Sequence, residues 1–243
     1  MSIFDTIFPN HTCLVCKGEI NTSKYPLVCN TCLPKLPWHK KICDKCGSEI
    51  GMHGVTCDRC QNHVKYKDAE WHYDKARSVF TYESPVAEFV LRLKYGAEGD
   101  VAKFVARLLA DAVKEYDIKA DVIIPVPLAP KRLKERGYNQ AGLITTELSR
   151  IIGVPVVDGF LVRTRHTTAQ KKMALKERQE NLRGAFEACP PFSVVKGKRV
   201  LLVDDVLTTG TTANECARII RKAKPKSIEV LTIASVSQKV VAK

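Results

Sequence analysis

Residues 200–212, VLLVDDVLTTGTT, constrain this chain more than any other stretch. Val200, Leu201, Leu202 and Val203 carry no polar break, which suits a strand buried on both faces of a parallel sheet. Asp204 and Asp205 follow at its carboxyl end, the edge at which open α/β sheets bind ligands. Thr208, Thr209, Gly210, Thr211 and Thr212 then supply four hydroxyls, one glycine and a run of backbone N–H groups, just before a helical pattern over residues 213–224. Amide donors at a helix N-terminus, with a glycine that admits close backbone approach, cradle a phosphate. Carboxylates repel phosphate but accept hydrogen bonds from sugar hydroxyls, so acids beside such a cup suit a ribose 5-phosphate. As acids alone, the pair would equally suit a metal.

The 243 residues suffice for one sizeable core plus a small module. Residues 161–243 hold 17 basic and 7 acidic side chains, which is +10 of the net +13. A surplus in the segment of the phosphate cup serves a pyrophosphate-bearing ligand, a nucleic acid or both, unless it is only solvated surface. No apolar run approaches the ~18 to 20 residues of a membrane span. The first ten residues, MSIFDTIFPN, lack a basic n-region and place an acid in their apolar stretch, unlike a secretion signal. A cytoplasmic protein is expected, with peripheral attachment at the inner membrane left open.

Reduced cysteines at regular spacing then read as metal ligands. Eight of the ten fall in four CxxC pairs: Cys13 with Cys16, Cys29 with Cys32, Cys43 with Cys46, and Cys57 with Cys60. Two CxxC turns complete one closed four-thiolate site, so two structural zinc ions are expected. Sequential ribbons would join the first two pairs and the last two; a cross-braced pairing is the alternative. Gly18 and Gly47 suit the tight turns, and His11, His39, His53 and His63 read as surface or packing residues because eight thiolates already fill two tetrahedra. Ile3, Phe4, Ile7 and Phe8 have helical spacing and are expected to pack on this module, whose folding must draw on metal. The polar stretch 63–76 marks its end, giving a zinc module over 1–64 and an α/β domain over 65–243.

Along that domain, residues 76–82 alternate as a strand, and Ser84 with Pro85 signals a helix start running to about Tyr95. Asp100 caps a second helix, with Val101, Phe104, Val105, Leu108, Leu109 and Ala112 on one face. DVIIPVP, residues 121–127, reads as a buried strand ended by prolines. The basic stretch after it, with Lys131, Arg132, Lys134 and Arg136, reads as a loop on the sheet edge of the phosphate cup, followed by a helix over about 138–151. A strand at 154–157 precedes a long polar segment, 163–183, which reads as a lid. Strands at 199–203 and 228–236 complete an alternating pattern and a parallel sheet.

Several stretches together resemble the ComF/GntX family of bacterial competence-associated proteins. They are the N-terminal CxxC pairs, LKYG at 93–96, PVP with RGYNQA within 125–141, the spacing of Arg163, Gln170, Arg178 and Asn181, GAF at 184–186, and VDDVLTTGTT. The resemblance implies a double zinc ribbon before a type I phosphoribosyltransferase fold with a twisted parallel sheet. It implies that Asp204 and Asp205, the candidate catalytic pair, face the ribose hydroxyls of phosphoribosyl pyrophosphate (PRPP), and that residues 208–212 hold its 5-phosphate. Arg132, Arg136, Arg163, Gln170, Arg178 and Asn181 would meet the pyrophosphate or close as the lid, with magnesium bridging the ligand's oxygens. Lid closure would exclude water from the ribosyl centre. Three functions compete on these expectations: pentosyl transfer, including nucleotide salvage; a non-catalytic accessory of DNA uptake that grips single-stranded DNA beside a competence helicase or other uptake proteins; and a PRPP sensor. The chain has no P-loop signature.

Overall fold

The computed structural model describes residues 11–20, 24–50, 56–57, 60–61, 71–96, 99–164, 182 and 184–236. Ile3, Phe4, Ile7 and Phe8, His53, His63, Gln170, Arg178, Asn181 and most of the expected lid lie outside the described residues.

Two short strands, β1 (His11–Thr12) and β2 (Glu19–Ile20), pair antiparallel around the first cysteine turn. The main sheet follows: β3 (Lys75–Thr81), β4 (Val122–Pro125), β7 (Arg199–Leu207) and β8 (Ser227–Ser235), all parallel, in the order β3-β8-β7-β4. A small antiparallel pair, β5 (Leu161–Arg163) with β6 (Phe186–Ala188), lies apart from it. Helices α1 (Val86–Tyr95), α2 (Gly99–Glu115), α3 (Pro130–Arg136), α4 (Gln140–Ile152) and α5 (Thr211–Arg221) make the connections.

The central strand shows why the sheet is buried on both sides. Side chains alternate across a strand. Leu201 and Val203 join one core with Ile123, Phe104, Leu108, Ile144 and Leu148, under α1, α2 and α4. Val200 and Leu202 point the other way, into a core with Ile124, Ile220, Phe160 and Phe186, under α5 and the small β5–β6 pair. All six residues of the expected apolar face of α2 are buried. Gln140, Ala141, Ile144, Thr145 and Leu148 do the same for α4, whose first turn Asn139 caps through Ala141 N–H at 3.2 Å.

Several sequence expectations change; Asp100, for one, lies in the first turn of α2, which starts at Gly99, rather than capping it. β7 does not stop at Val203 but runs through both aspartates to Leu207, because β8 continues to pair with it as far as Ser235. The basic stretch after β4 is a short helix, α3, with Pro130 in its first turn and left-handed Gly137 behind it. The strand expected at 154–157 is reduced to one parallel bridge, Val156 to Ile123. Ser84 makes no cap hydrogen bond; Pro85 occupies that position.

The cysteine module covers the exposed edge of the sheet. Trp38 bridges antiparallel to Phe80 on β3, their rings 4.6 Å apart. His39 N–H donates to Val79 C=O, Thr81 N–H to Pro37 C=O, and Ala76 N–H to Lys45 C=O. An edge strand so covered cannot pair with another chain. Contact is closest at Gly47, which sits at φ +65° with the place of a Cβ only 2.4 Å from Ala76 C=O. Gly47→Ala is therefore expected to cost about 3 kcal/mol, from overpacking against backbone plus the left-handed penalty. A thermal melt unchanged from the parent would refute that contact.

Candidate functional site

The carboxyl end of β7 and the turn into α5 form one continuous surface of the sheet edge. Thr208 is exposed, Thr209 and Gly210 are buried, and Thr211 and Thr212 open the helix. Gly210 caps α5 at φ +78°, a conformation that L side chains rarely adopt. Thr209 and Thr211 share a hydroxyl hydrogen bond of 2.8 Å, and Asn214 N–H closes the first turn on Gly210 C=O at 2.8 Å. No acidic residue occupies the first turn of α5. The early amides and the positive end of the helix thus meet no competing carboxylate there, which favours an anion.

Because β7 continues past them, the two aspartates leave the strand on opposite faces. Asp205 shares its face with Leu201 and Val203, below α1 and α4. Its Oδ2 lies 2.8 Å from Lys94 Nζ at the end of α1, and Gln140 Nε2 of α4 approaches the same oxygen at 3.5 Å. Val206 N–H donates to the other oxygen at 2.7 Å. Burial pushes the Lys94 ammonium down, but the facing Asp205 outweighs it and holds the ammonium above its ordinary value.

Asp204 faces the α5 side and is half-buried, and its Oδ1 accepts Asp205 N–H at 2.8 Å. Burial, and then the neighbouring Asp205 charge, push its carboxyl well above the usual carboxylate range. Arg163, on β5, lies within electrostatic reach of Asp204 and of Arg132; burial and then Arg132 lower its guanidinium. Its guanidinium also stands over the Phe186 ring at 5.3 Å. Arg136 donates to Gln140 Oε1 at 3.0 Å and lies 5.1 Å from the exposed Tyr95 ring. Asp204, Asp205, Arg163, Arg132, Arg136 and residues 208–212 therefore gather at one end of the sheet.

Lys94 and Gln140 are the residues whose place here the sequence left unassigned. Both stood inside stretches that carried the family resemblance, LKYG and RGYNQA. Nothing within either stretch shows that it meets a carboxylate more than sixty residues away.

The eight cysteines form two clusters, Cys13, Cys16, Cys29 and Cys32 in one and Cys43, Cys46, Cys57 and Cys60 in the other. The open question of pairing is thereby answered in favour of sequential ribbons. Within each cluster all sulfurs lie within 4.8 Å of one another, and Cys46 Sγ to Cys57 Sγ is 3.5 Å. A tetrahedron of Zn–S bonds of about 2.3 Å has sulfur edges of about 3.8 Å, so both sets fit zinc. In each, one backbone N–H, of Cys29 or Cys57, approaches a sulfur of the other pair at 3.4 Å. Four thiolates leave no open coordination position, so the ions are structural. Among the described residues, no helix is long and apolar enough to cross a membrane.

Comparison with known proteins follows the same division. A double zinc ribbon domain model matches residues 3–61, and a phosphoribosyl transferase domain model matches residues 94–243. Competence protein F of Haemophilus influenzae is 33% identical over 232 residues, covering 93% of this chain and 98% of that protein. DNA utilization protein YhgH of Escherichia coli K12 is 30% identical over 158 residues, covering 63% of this chain and 68% of that one. Competence protein ComFC of Bacillus subtilis is 30% identical over 159 residues, covering 65% and 62%.

Proposed function

From a chain that belongs to the ComF family, a double zinc ribbon joined to a type I phosphoribosyl transferase fold, we propose a protein that binds PRPP or a related ribose phosphate and acts in DNA uptake during natural transformation. The observation that carries the ligand reading is the left-handed turn at Gly210, opening α5 beside Asp204 and Asp205 at the end of the central strand. In this reading the 5-phosphate accepts hydrogen bonds from the amides and hydroxyls of residues 208–212. The sugar lies across the end of β7, with one aspartate on each side of the strand.

Lys94 neutralises Asp205, and Asp204 holds its proton more tightly than a free carboxylate, so the pair presents less negative charge than two free carboxylates to a ligand that is itself anionic. In this reading Arg163, within electrostatic reach of Asp204, and Arg132 beside it would meet the pyrophosphate. A magnesium ion bound with the ligand would be held mainly by pyrophosphate oxygens, with Asp204 and Asp205 in an outer role. It would supply charge neutralisation of the leaving pyrophosphate. The names of the relatives, competence protein F and DNA utilization protein YhgH, support the process.

Calorimetric titration of the intact, zinc-loaded protein tests the ligand. PRPP with magnesium, and ribose 5-phosphate alone, are expected to bind, and Asp204→Ala with Asp205→Ala to weaken PRPP at least about 100-fold, as for loss of two charge-assisted contacts. Binding of a single-stranded oligonucleotide alone, steeply weakened by salt, would replace the sugar-phosphate reading with a nucleic-acid grip.

A further inference from the structure

We propose that the second ribbon, Cys43, Cys46, Cys57 and Cys60, is a working part of the phosphate cup and holds residues 208–212 in their binding shape through Trp71. The inference rests on reading that loop as the anion site.

Trp71 belongs to two places at once. It packs against the cysteine cluster of the second ribbon and also against the core beneath α5. Its ring atoms Cζ3 and Cη2 come within 3.2 and 3.3 Å of where a Cβ on Gly210 would stand, and Tyr73 Oη within 3.2 Å. The two rings contact each other at 5.0 Å between centroids. Together they form a shelf under the left-handed turn, so close that a Cβ at position 210 would push it back by a few tenths of an ångström.

The backbone of that shelf is tied on both sides. Toward α5, His72 N–H donates to Asn214 Oδ1 at 2.7 Å, and Arg221 donates to His72 C=O at 2.8 Å and pairs with Asp74 at 2.7 Å. Toward the metal, Lys45 stands between Cys43 and Cys46. Its Nζ donates to Tyr73 C=O at 2.7 Å and Asp74 C=O at 2.9 Å, and its own C=O accepts Ala76 N–H. One cysteine turn therefore carries two sulfur ligands and fixes the chain beneath the phosphate loop.

The first ribbon has no such link among the described residues. It docks on α2, where Lys24 pairs with Asp111 at 2.6 Å and Tyr25 meets Phe104 edge-on, on the sheet face opposite α5. The two metal sites are thus inequivalent: both fasten the module to the domain, but among the described residues only the second reaches the chain beneath the loop. Donors held in place before a ligand arrives need no ordering when it binds, which is affinity gained without a new contact.

The test uses the full zinc-loaded chain and two readouts, the affinity for ribose 5-phosphate and amide hydrogen exchange of residues 208–212 without ligand. Trp71→Ala, verified to retain two zinc ions, is expected to weaken ribose 5-phosphate about tenfold and speed loop exchange by a similar factor, the loss of an aromatic shelf. Trp71→Phe, a milder change that keeps a ring, should shift both in the same direction by a few-fold. Tyr25→Ala, which loosens only the first ribbon's docking, should leave both within about twofold of the parent. Unchanged loop exchange in both Trp71 variants, or equal loosening by Tyr25→Ala, overturns the proposal. If the parent binds no ribose 5-phosphate, the sugar-phosphate reading fails on that arm, while the exchange arm still decides whether the ribbon stiffens the loop.

Discussion

Asp205→Asn is expected to lower the melting temperature by roughly 10 °C, through loss of about 3 to 4 kcal/mol of stability. The cause is Lys94 rather than the aspartate itself. The Lys94 and Asp205 side chains are 23% and 8% exposed, so their 2.8 Å contact lies largely out of water. Asparagine preserves the oxygen that accepts Val206 N–H, yet it leaves the ammonium buried without its counter-charge. Removing both charges should repair this: Asp205→Asn with Lys94→Met buries an apolar stem in place of an ion. The double variant is expected to melt within about 1 kcal/mol of the parent.

Ligand binding should not return with stability. A carboxylate accepts from sugar hydroxyls and an amide does so only weakly, so the refolded double variant should still bind PRPP at least about tenfold less tightly. Melting and titration on the same three proteins therefore divide the roles of one residue. A single variant that melts within about 2 °C of the parent would show that water already screens the pair.

The same pair shows where sequence reasoning stopped. Four aliphatics, two acids and a threonine-rich turn were enough to place a strand, a sheet edge and a helix start, because each signal is local. The sequence expectation ends the strand at Val203, with the two acids following at its carboxyl end. The structure continues it to Leu207 because Lys94 and Gln140 come from other elements to receive Asp205. That compensation is 65 to 111 residues away in the chain and has no period to betray it. The short pair β5 with β6 escaped for a related reason: three-residue strands more than twenty residues apart carry no alternation long enough to see.

Helix α3 is a different case. Its punctuation, Pro130 at the start and Gly137 at the end, was present in the sequence, but four basic residues in seven suggested exposed loop. Charge marks a solvated face and does not exclude a helix. The cysteines show the converse limit. Their spacing specified eight ligands for two ions, while the choice of sequential ribbons needed the sulfurs in space.

Stripping both zinc ions with a strong chelator is expected to have the widest effect of any treatment. A structural zinc supplies about 10 to 16 kcal/mol of binding free energy, more than the cysteine module can gain from its few buried side chains. Amides of residues 11–57 should then exchange freely, whereas those of β7 and β8, buried between two helical layers, should remain protected. Damage should nevertheless spread to the domain at β3. Without residues 37–39 and Lys45 against it, the outer edge of β3 presents unpaired backbone groups, and Phe80 loses Trp38. An uncovered edge of that kind pairs with other copies, so the stripped protein should self-associate, with sedimentation rising with protein concentration and reversing when zinc is restored early. Ribbon amides that stay protected after metal analysis finds no zinc would mean that the module is held by its packing on α2 and β3, and that the ions only decorate it.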